Sequence, residues 1–167
     1  MKNGYEVRAQ KFIQKFYEFY AENIDIDDAC FYFNSTYHNQ KIHVESGATR
    51  HALITSDYVI KIDKKPNGYT KRFGTCKTEY KNYQIAVRDG FEYMFAKITV
   101  YKYMGITWYI MPRVKGIGDK CCRDATYYMT KREKEWIAEN GFFDLHYNNY
   151  GWKNRHIVLI DYASRDE

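Results

Sequence analysis

The sequence predicts an α+β fold in which a five-stranded antiparallel sheet follows a helical N-terminal segment. Three short strand-like runs lie between residues 41 and 63, joined by loops of four and two residues, which are lengths that hairpins use. Two further runs, 95–101 and 106–111, are joined around Met104-Gly105. Segments with helical spacing of apolar residues occur elsewhere in the chain. These observations together predict a meander of antiparallel strands with helices.

Length and composition predict one soluble globular domain spanning residues 1–167. Hydrophobic residues make up 45% and charged residues 28% of the chain, which is ordinary for a globular protein and unlike a disordered one. Only the aromatic content, 19% with 18 tyrosines, is unusual, and the net charge of +5 is mildly basic. A basic chain suits an anionic ligand, and the charge fits a nucleotide and nucleic acid equally well.

Cysteine usage and hydropathy predict a cytoplasmic protein. The four cysteines show no CxxC spacing, and an adjacent pair is a poor start for a disulfide framework, so a reducing compartment is the simpler expectation. They are Cys30, Cys76, Cys121 and Cys122. No apolar run approaches the roughly 18 residues of a membrane span, and the N-terminus lacks the apolar region of a signal peptide. We therefore expect no membrane partner.

The N-terminal segment, roughly residues 5–23, has the spacing of an amphipathic helix. Asn3 and Glu6 form a plausible capping box. An apolar stripe follows at helical positions, consisting of Phe12, Ile13, Phe16, Phe19 and Tyr20. A stripe of this kind could bind a membrane or a partner, but packing against the domain is the simpler expectation. The acidic run at residues 25–28 is interpreted as a solvated connection.

Strands are predicted at residues 41–45, 50–55 and 58–63. The third contains Lys61, which is preceded by Val59-Ile60 and followed by an isoleucine. A cation inside an apolar strand needs an anionic partner unless it lies on the solvent side of an edge strand. Both alternatives are compatible with the local pattern.

A helix is predicted from about Thr75 to Asp89, ended by Gly90. Its apolar face would consist of Tyr80, Tyr83 and Val87, which would turn Glu79 towards the sheet. The alternative is that Glu79 is a solvated helix residue, and Glu92 is a weaker candidate for an inward carboxylate.

The C-terminal part is predicted to contain a helix at residues 124–140, capped by Asp124, and a buried strand at 157–160. Two acidic residues and an amide surround that strand: Asp144, then Asn149 five residues later, and Asp161 twelve residues after that. Asp and Asn also commonly occupy turns. By themselves, the three residues fit a metal site and a pair of turns equally well.

Considered in order along the chain, these motifs resemble the protein-kinase-like superfamily. Val59-Ile60-Lys61 is similar to its lysine strand, and Glu79, eighteen residues later, is at the interval of its paired glutamate. The segment Met111-Pro112-Arg113-Val114 is in the place of the hinge. The Asp144-x4-Asn149 spacing matches the catalytic loop, and Asp161-Tyr162-Ala163 replaces Asp-Phe-Gly.

The resemblance implies a kinase-like fold with an N-terminal helical extension (1–40), an N-lobe of five antiparallel strands and one helix (41–111), and a hinge with a minimal, truncated C-lobe (112–167). The chain also departs from the family. Phe142-Phe143 replaces His-Arg before the catalytic aspartate, and His146 gives the Asp-Leu-His of aminoglycoside-type phosphotransferases. Ala163 replaces a glycine, and four residues follow it. In this it resembles short kinase-like proteins of tailed bacteriophages, which act on host proteins.

The resemblance also implies ATP and magnesium as ligands. Lys61, held by Glu79, would contact the α- and β-phosphates, and Asp144 would orient the acceptor hydroxyl. Asn149 and Asp161 would bind magnesium. The remaining implied nucleotide contacts are Gly47 and Arg50 at the phosphates, and Met111 and Arg113 at the hinge.

Three functions are therefore expected, in this order. The first is an active phosphotransferase similar to a minimal serine/threonine protein kinase, working on a host protein in the host cytoplasm. The second is a pseudokinase that binds nucleotide or a host protein without catalysis. The third is a nucleic-acid binder that uses its tyrosines as stacking platforms. The third explains the composition but leaves the ordered acidic residues unexplained.

Overall fold

The computed structural model describes residues 4–36, 42–66, 75–116 and 123–162. The chain forms two compact units, each described separately below. The first comprises Met1–Cys76 with Ile98–Arg113, and the second comprises Lys77–Lys97 with Val114–Glu167. The expected organisation as one domain stays a prediction.

The first unit is built on the predicted five-stranded antiparallel sheet. Its strands are β1 (His43–Ser46), β2 (Arg50–Ile54), β3 (Tyr58–Asp63), β4 (Thr99–Tyr103) and β5 (Ile106–Pro112), in the spatial order β1-β2-β3-β5-β4. Every neighbouring pair is antiparallel. The β4–β5 turn lies at Met104 and Gly105, both with positive φ, as a tight two-residue hairpin requires. The five-stranded sheet is confirmed, with β3 inside it.

One strand begins later than predicted. The sequence pattern placed a strand at 95–101, but β4 begins at Thr99. Phe95 forms an isolated parallel bridge with Leu159, and the Ala96 N–H donates to the Leu159 carbonyl at 2.8 Å. Phe95 and Ala96 belong to the second unit, whereas β4 belongs to the first. The predicted strand therefore spans the end of one unit and the start of the other.

Helices α1 (Gly4–Phe16) and α2 (Ile26–Thr36) pack on this sheet, and a short π-helix (Tyr17–Ala21) follows α1. The prediction of a solvated connection at residues 25–28 is wrong, because α2 begins there. The Asp25 carboxylate accepts the Asp27 N–H at 2.8 Å, and the Asp25 carbonyl accepts the Ala29 N–H. An aspartate before a helix satisfies amides that have no partner within the helix.

The core of the first unit is aromatic. The Phe16 ring lies 5.4 Å from Phe33 of α2 and 6.0 Å from Trp108 of β5, both edge-on. All three side chains are buried, and each contributes about 1.5–3 kcal/mol by leaving water. Phe19 was predicted on this packed face, but it is 78% exposed, since the π-helix changes the helical register. The predicted cap residue Asn3 lies outside the described residues.

Helix α3 (Cys76–Asp89), which belongs to the second unit from Lys77 onward, matches the predicted helix and ends at Gly90 with φ 76°. Its buried face differs from the prediction. Glu79, Asn82 and Ala86 are buried, whereas Val87 is 48% exposed. The helix therefore directs two polar side chains inward, and these contribute to the candidate site described below.

The predicted helix at 124–140 is two elements. A 3-10 helix at Ala125–Tyr128, capped by Asp124, is followed by α4 (Lys131–Glu139). Thr130 between them is extended, and it forms a capping box with Glu133. This reciprocal cap fixes the start of α4 at Lys131.

A second sheet of three antiparallel strands completes the second unit. It consists of β6 (Lys115–Gly116), β7 (Tyr150–Lys153) and β8 (His156–Leu159). The predicted strand at 157–160 corresponds to β8, while β6 and β7 were not predicted. The β7–β8 turn uses Asn154 and Arg155, both with positive φ.

Candidate functional site

The loop before β7 holds the predicted pair Asp144 and Asn149. The Asn149 side chain is 8% exposed, and its Nδ2 donates to the Asp144 carbonyl at 2.7 Å. This bond holds Asp144 at φ 66°, a conformation that residues other than glycine rarely adopt. Asp144 and Asn149 therefore lie together in this loop.

The backbone of Asn149 also binds the residues that lead to Asp161. Its carbonyl accepts the N–H of Ile160 at 2.8 Å and that of Asp161 at 3.4 Å. The β7–β8 hairpin makes this possible, since it returns the chain to the residue before β7. Asp144, Asn149 and Asp161 are thus brought together across seventeen residues of sequence.

His146 lies beside this group. Its Nδ1 accepts the Asn148 N–H at 3.3 Å, so in the neutral ring the proton is on Nε2. Nε2 is 3.2 Å from Asp144 Oδ1 and can donate to it. The side chains of Asp144 and His146 are 43% and 50% exposed, so this imidazole positions a solvent-accessible carboxylate.

Tyr162, the residue after Asp161, makes hydrogen bonds through its backbone N–H, its carbonyl and its hydroxyl. The Tyr162 N–H donates to Glu79 Oε1 at 3.3 Å, and its carbonyl accepts from Asn82 Nδ2 at 2.8 Å. Its hydroxyl donates to the Ala96 carbonyl at 2.7 Å. Burial raises the pKa of the Tyr162 phenol well above its usual value, so the group remains a donor. These contacts fix the backbone that carries Asp161.

Sequence reasoning found Glu79 but missed Asn82 and Tyr162. Glu79 is fully buried, which confirms its inward direction and excludes the solvated alternative. Asn82 is three residues later and therefore on the same face of α3, which was an available signal. The pairing of Glu79 with Lys61 stays a prediction.

Lys61 lies in the middle of the sheet of the first unit. It is 7% exposed and is opposite Ala52 of β2 and Tyr109 of β5. The alternative of a lysine at the solvent side of an edge strand is therefore wrong. A buried ammonium group requires compensating polar or anionic groups, as the sequence pattern indicated.

The turn between β1 and β2 contains Gly47, and Arg50 begins β2. The Gly47 N–H donates to the Arg50 carbonyl at 3.0 Å. A Cβ added at Gly47 would meet only that carbonyl oxygen, at 3.8 Å, so the conformation does not demand glycine. Arg50 is half-buried and opposite Asp63 of β3. Their contacts with phosphate stay predictions.

The two predicted hinge residues have different environments. Met111 is 2% exposed within β5. Arg113 follows β5, and its guanidinium donates to the Thr55 carbonyl at 2.6 Å while its N–H donates to the Asp57 carbonyl. The turn after β2 thus binds Arg113 to the sheet, and only its backbone carbonyl and unused guanidinium donors could serve an adenine ring.

The donor set fits magnesium better than a transition metal. No three His, Cys, Asp or Glu side chains converge within the described parts of the chain. Asn149 and Asp161 offer oxygen ligands, and since Asn149 Nδ2 is used by the Asp144 carbonyl, Oδ1 is the atom that could face a cation. Magnesium accepts such a partial set because it retains water and substrate phosphates as ligands.

The sequence also predicted a reducing compartment and no membrane partner. Cys30 and Cys76 are both buried, and burial raises the pKa of the Cys30 thiol to about 12, so Cys30 is inert. Cys121 and Cys122 lie outside the described residues. Among the helices that the structure describes, none has the length and apolar character to cross a membrane.

Comparisons with known proteins find distant similarity to solved structures only. No protein-family model and no curated protein matches the sequence. A high-resolution crystal structure of WbdD is similar over 73% of this chain, with 21% identity and a TM-score of 0.44. A co-crystal structure of WbdD with the kinase inhibitor LY294002 has a TM-score of 0.41 at 20% identity over 70% of this chain. A medium-resolution structure, described as the bifunctional kinase-methyltransferase WbdD, has a TM-score of 0.40 at 21% identity over the same share.

This chain spans about a third of the length of those WbdD structures, with shares of 32%, 31% and 30%. TM-scores of this size are too low to establish a common fold or a common activity. The functional argument therefore depends on the residues of the chain itself.

Proposed function

We propose that this chain is a magnesium- and ATP-dependent phosphotransferase that resembles a minimal serine/threonine protein kinase. The observation that carries the proposal is the arrangement of Asp144, Asn149 and Asp161. Asn149 donates to the Asp144 carbonyl through its side-chain Nδ2, and its backbone carbonyl accepts the N–H groups of Ile160 and Asp161. Turn residues without a shared role need no such connection.

The second unit would supply the metal ligands and the acceptor-orienting carboxylate. Bound magnesium would neutralise charge on the β- and γ-phosphates. Asn149 Oδ1 and the Asp161 carboxylate would hold it, and Tyr162 would keep Asp161 in place through its three backbone and side-chain bonds. Asp144, which is partly exposed and beside His146, would accept a hydrogen bond from the acceptor hydroxyl.

The first unit would supply the phosphate-binding cation. Lys61 is rigidly placed because β3 pairs on both sides, and a positioned cation stabilises developing negative charge more than a mobile one. Arg50 and the Gly47 backbone would add phosphate contacts. Following the resemblance to short phage-encoded kinases, we propose that the acceptor is a host protein.

The test is incubation of the protein and a bacterial lysate with γ-labelled ATP and magnesium. Asp144→Asn and Asp161→Asn should each lose at least 100-fold in labelling rate, the scale for losing one transition-state-stabilising group. Asp124→Asn is the matched control, since this exposed carboxylate caps a 3-10 helix and Asn caps equally well. Equal labelling by wild type and both site variants would refute the proposal.

ATP binding without phosphoryl transfer would distinguish a pseudokinase from an active phosphotransferase. ATP that binds only the folded protein raises the melting temperature with the logarithm of its concentration. A magnesium-dependent shift in wild type, absent in Asp161→Asn and without any labelled product, would select the pseudokinase. The absence of both shift and labelling would exclude both alternatives.

One observation favours the nucleic-acid alternative. The Arg123 guanidinium lies 3.9 Å from the Tyr127 ring, and the Tyr128 ring contacts Trp152 edge-on at 5.2 Å. Tyr127 and Trp152 are 59% and 41% exposed. Bases stack on exposed aromatic rings beside cations.

Fluorescence anisotropy with a labelled 12-nucleotide single strand, at low and high salt, tests the nucleic-acid alternative. Loss of binding in Trp152→Ala but not in Phe31→Ala, another exposed aromatic, would support this function.

A further inference from the structure

A serine, a histidine and an aspartate form a continuous hydrogen-bonded chain in the first unit, and none of the three is assigned above to phosphoryl transfer, although Ser46 and His51 are next to Gly47 and Arg50 in the sequence. Ser46 Oγ lies 2.6 Å from His51 Nδ1, and His51 Nε2 lies 2.8 Å from Asp27 Oδ1. Ser46 on β1 and His51 on β2 are directly opposite in the sheet. Asp27 comes from the first turn of α2. Strand pairing and helix packing thus create the chain of contacts.

The direction of each hydrogen bond follows from chemistry. The Asp27 carboxylate can only accept, so His51 Nε2 carries the proton and donates. His51 Nδ1 then has a lone pair and accepts the Ser46 hydroxyl proton. This is the arrangement of a nucleophile, a general base and a group that orients the base.

Exposure separates the roles. Ser46 is exposed, so its oxygen can reach an external electrophile, while His51 is 5% exposed. Burial lowers the pKa of His51, although the hydrogen bond to Asp27 opposes this effect. Neutral imidazole therefore predominates at pH 7 and is able to take a proton.

We propose that Ser46 is an activated nucleophile that accepts acyl groups from esters, with His51 as its general base and Asp27 as a positioning residue. Ser46 Oγ bonds to the acyl carbon, the ester C–O bond breaks, and the Ser46 proton passes through His51 Nδ1 to the departing alcohol. Water then attacks the Ser46 ester, and its proton passes by way of His51 back to Ser46. The balanced reaction converts ester and water into acid and alcohol.

The substrate class follows from the hairpin. The Gly47 N–H, which directly follows Ser46, donates to the Arg50 carbonyl, so it is not directed at a developing oxyanion. The donor must therefore supply its own good leaving group. We expect activated esters such as aryl esters to react, and amides not to react.

The experiment uses a fluorophosphonate probe on the full chain, with mass spectrometry to locate the adduct. The adduct is expected on Ser46, with fluoride as the leaving group. Ser56 is the matched internal control, because it is an exposed serine whose hydroxyl bonds a carboxylate and no imidazole. Modification of Ser46 at least 10-fold faster than Ser56 supports the proposal. Equal modification of the two serines, or none of Ser46, overturns it.

Variants and pH test the role of the imidazole. His51→Gln should slow Ser46 labelling at least 10-fold while Asp27→Asn slows it less. Wild-type labelling should be constant near pH 7–8 and decrease as His51 protonates below its usual pKa, with Asp25, Asp27 and Lys64 as the charged groups that influence it. If His51→Gln fails to fold, the wild-type pH profile decides. Labelling that does not decrease on acidification overturns the proposal.

p-Nitrophenyl acetate tests turnover. Wild type and Ser56→Ala should release p-nitrophenol continuously. Ser46→Ala should release it only at the uncatalysed background rate. Equal release by wild type and Ser46→Ala overturns the proposal. The assay contains neither ATP nor magnesium, so failure of the phosphotransferase proposal leaves this result unaffected.

Discussion

Gly151 of β7 lies tightly against the backbone of β6, and replacing it with alanine should destabilise the second unit. A Cβ at this position would overlap the Lys115 carbonyl oxygen and lie 2.8 Å from Val114 Cγ1 and 3.0 Å from the Lys115 carbonyl carbon. Two of these three atoms are backbone, so no rotation of a side chain relieves the overlap. The strand pair Gly116–Gly151 has to separate instead.

The magnitude follows from the kind of contact. Overpacking by one methyl group in a packed region costs about 1–3 kcal/mol, and an alanine in place of glycine returns about 0.4–1 kcal/mol by restricting the unfolded chain. The free energy of unfolding should therefore decrease by about 0–2.5 kcal/mol. We expect a value in the upper half of this range, because the overlap involves backbone atoms. At roughly 2–4 °C per kcal/mol for a chain of this length, the melting temperature should decrease by several degrees.

Thermal unfolding followed by tryptophan fluorescence measures this effect, because Trp152 is next to the substitution. Gly47→Ala is the matched control: its Cβ would meet one atom at 3.8 Å, so its melting temperature should equal or slightly exceed that of wild type. Since Gly151 is two residues from Asn149, Gly151→Ala should also weaken magnesium-nucleotide binding. Equal melting temperatures for the two variants would refute the close approach of β6 and β7.

Three further substitutions test individual contacts. Asn82→Ala leaves the buried Tyr162 carbonyl without its donor and should cost about 1–3 kcal/mol in urea unfolding, whereas exposed Lys81→Ala should be neutral; equal effects would contradict the contact. Phe16→Ala should cost about 3–5 kcal/mol, but Phe19→Ala about 0.5 kcal/mol or less, and similar losses would disprove the π-helix register. For Glu133, burial would raise the pKa, but hydrogen bonds from Thr130 and Tyr93 outweigh it and lower the pKa. Its stabilisation is therefore present above the unfolded-state pKa and lost as the pH falls through the folded one. The stability difference between wild type and Glu133→Gln, measured by urea unfolding, should narrow on acidification, and a constant difference would contradict this cap.

Local patterns were sufficient for the sheet and for α3. Strand β3 matches its prediction at both ends, because the Ser56-Asp57 turn precedes it and Lys64, Lys65 and Pro66 follow it in the sequence. The same reasoning failed at α2, where three aspartates in four residues indicated solvent, whereas burial of Cys30 and Phe33 stabilises a helix with an aspartate cap. The start of α4 was available in the sequence as the capping box Thr130-x-x-Glu133.

The site was predictable in part. The spacing of Asp144, Asn149 and Asp161 fitted turns equally well, and only their order after Lys61 and Glu79 led to the predicted site. The supporting contacts of Asn82 and Tyr162 depend on α3 packing beside the segment after β8, which no local pattern encodes. Strand β6 has two residues, too few for a periodicity to be visible.

The most direct test of the phosphotransferase claim compares ATP labelled at the α-phosphate with ATP labelled at the γ-phosphate. The account predicts that only the γ-label enters protein, that it requires magnesium, and that it disappears in Asp144→Asn and Asp161→Asn while Asp124→Asn retains it. Incorporation of the α-label without the γ-label would indicate nucleotidyl transfer instead, because the γ-phosphate then leaves with pyrophosphate. Incorporation of the γ-label that persists in both site variants would contradict the role assigned to Asp144, Asn149 and Asp161.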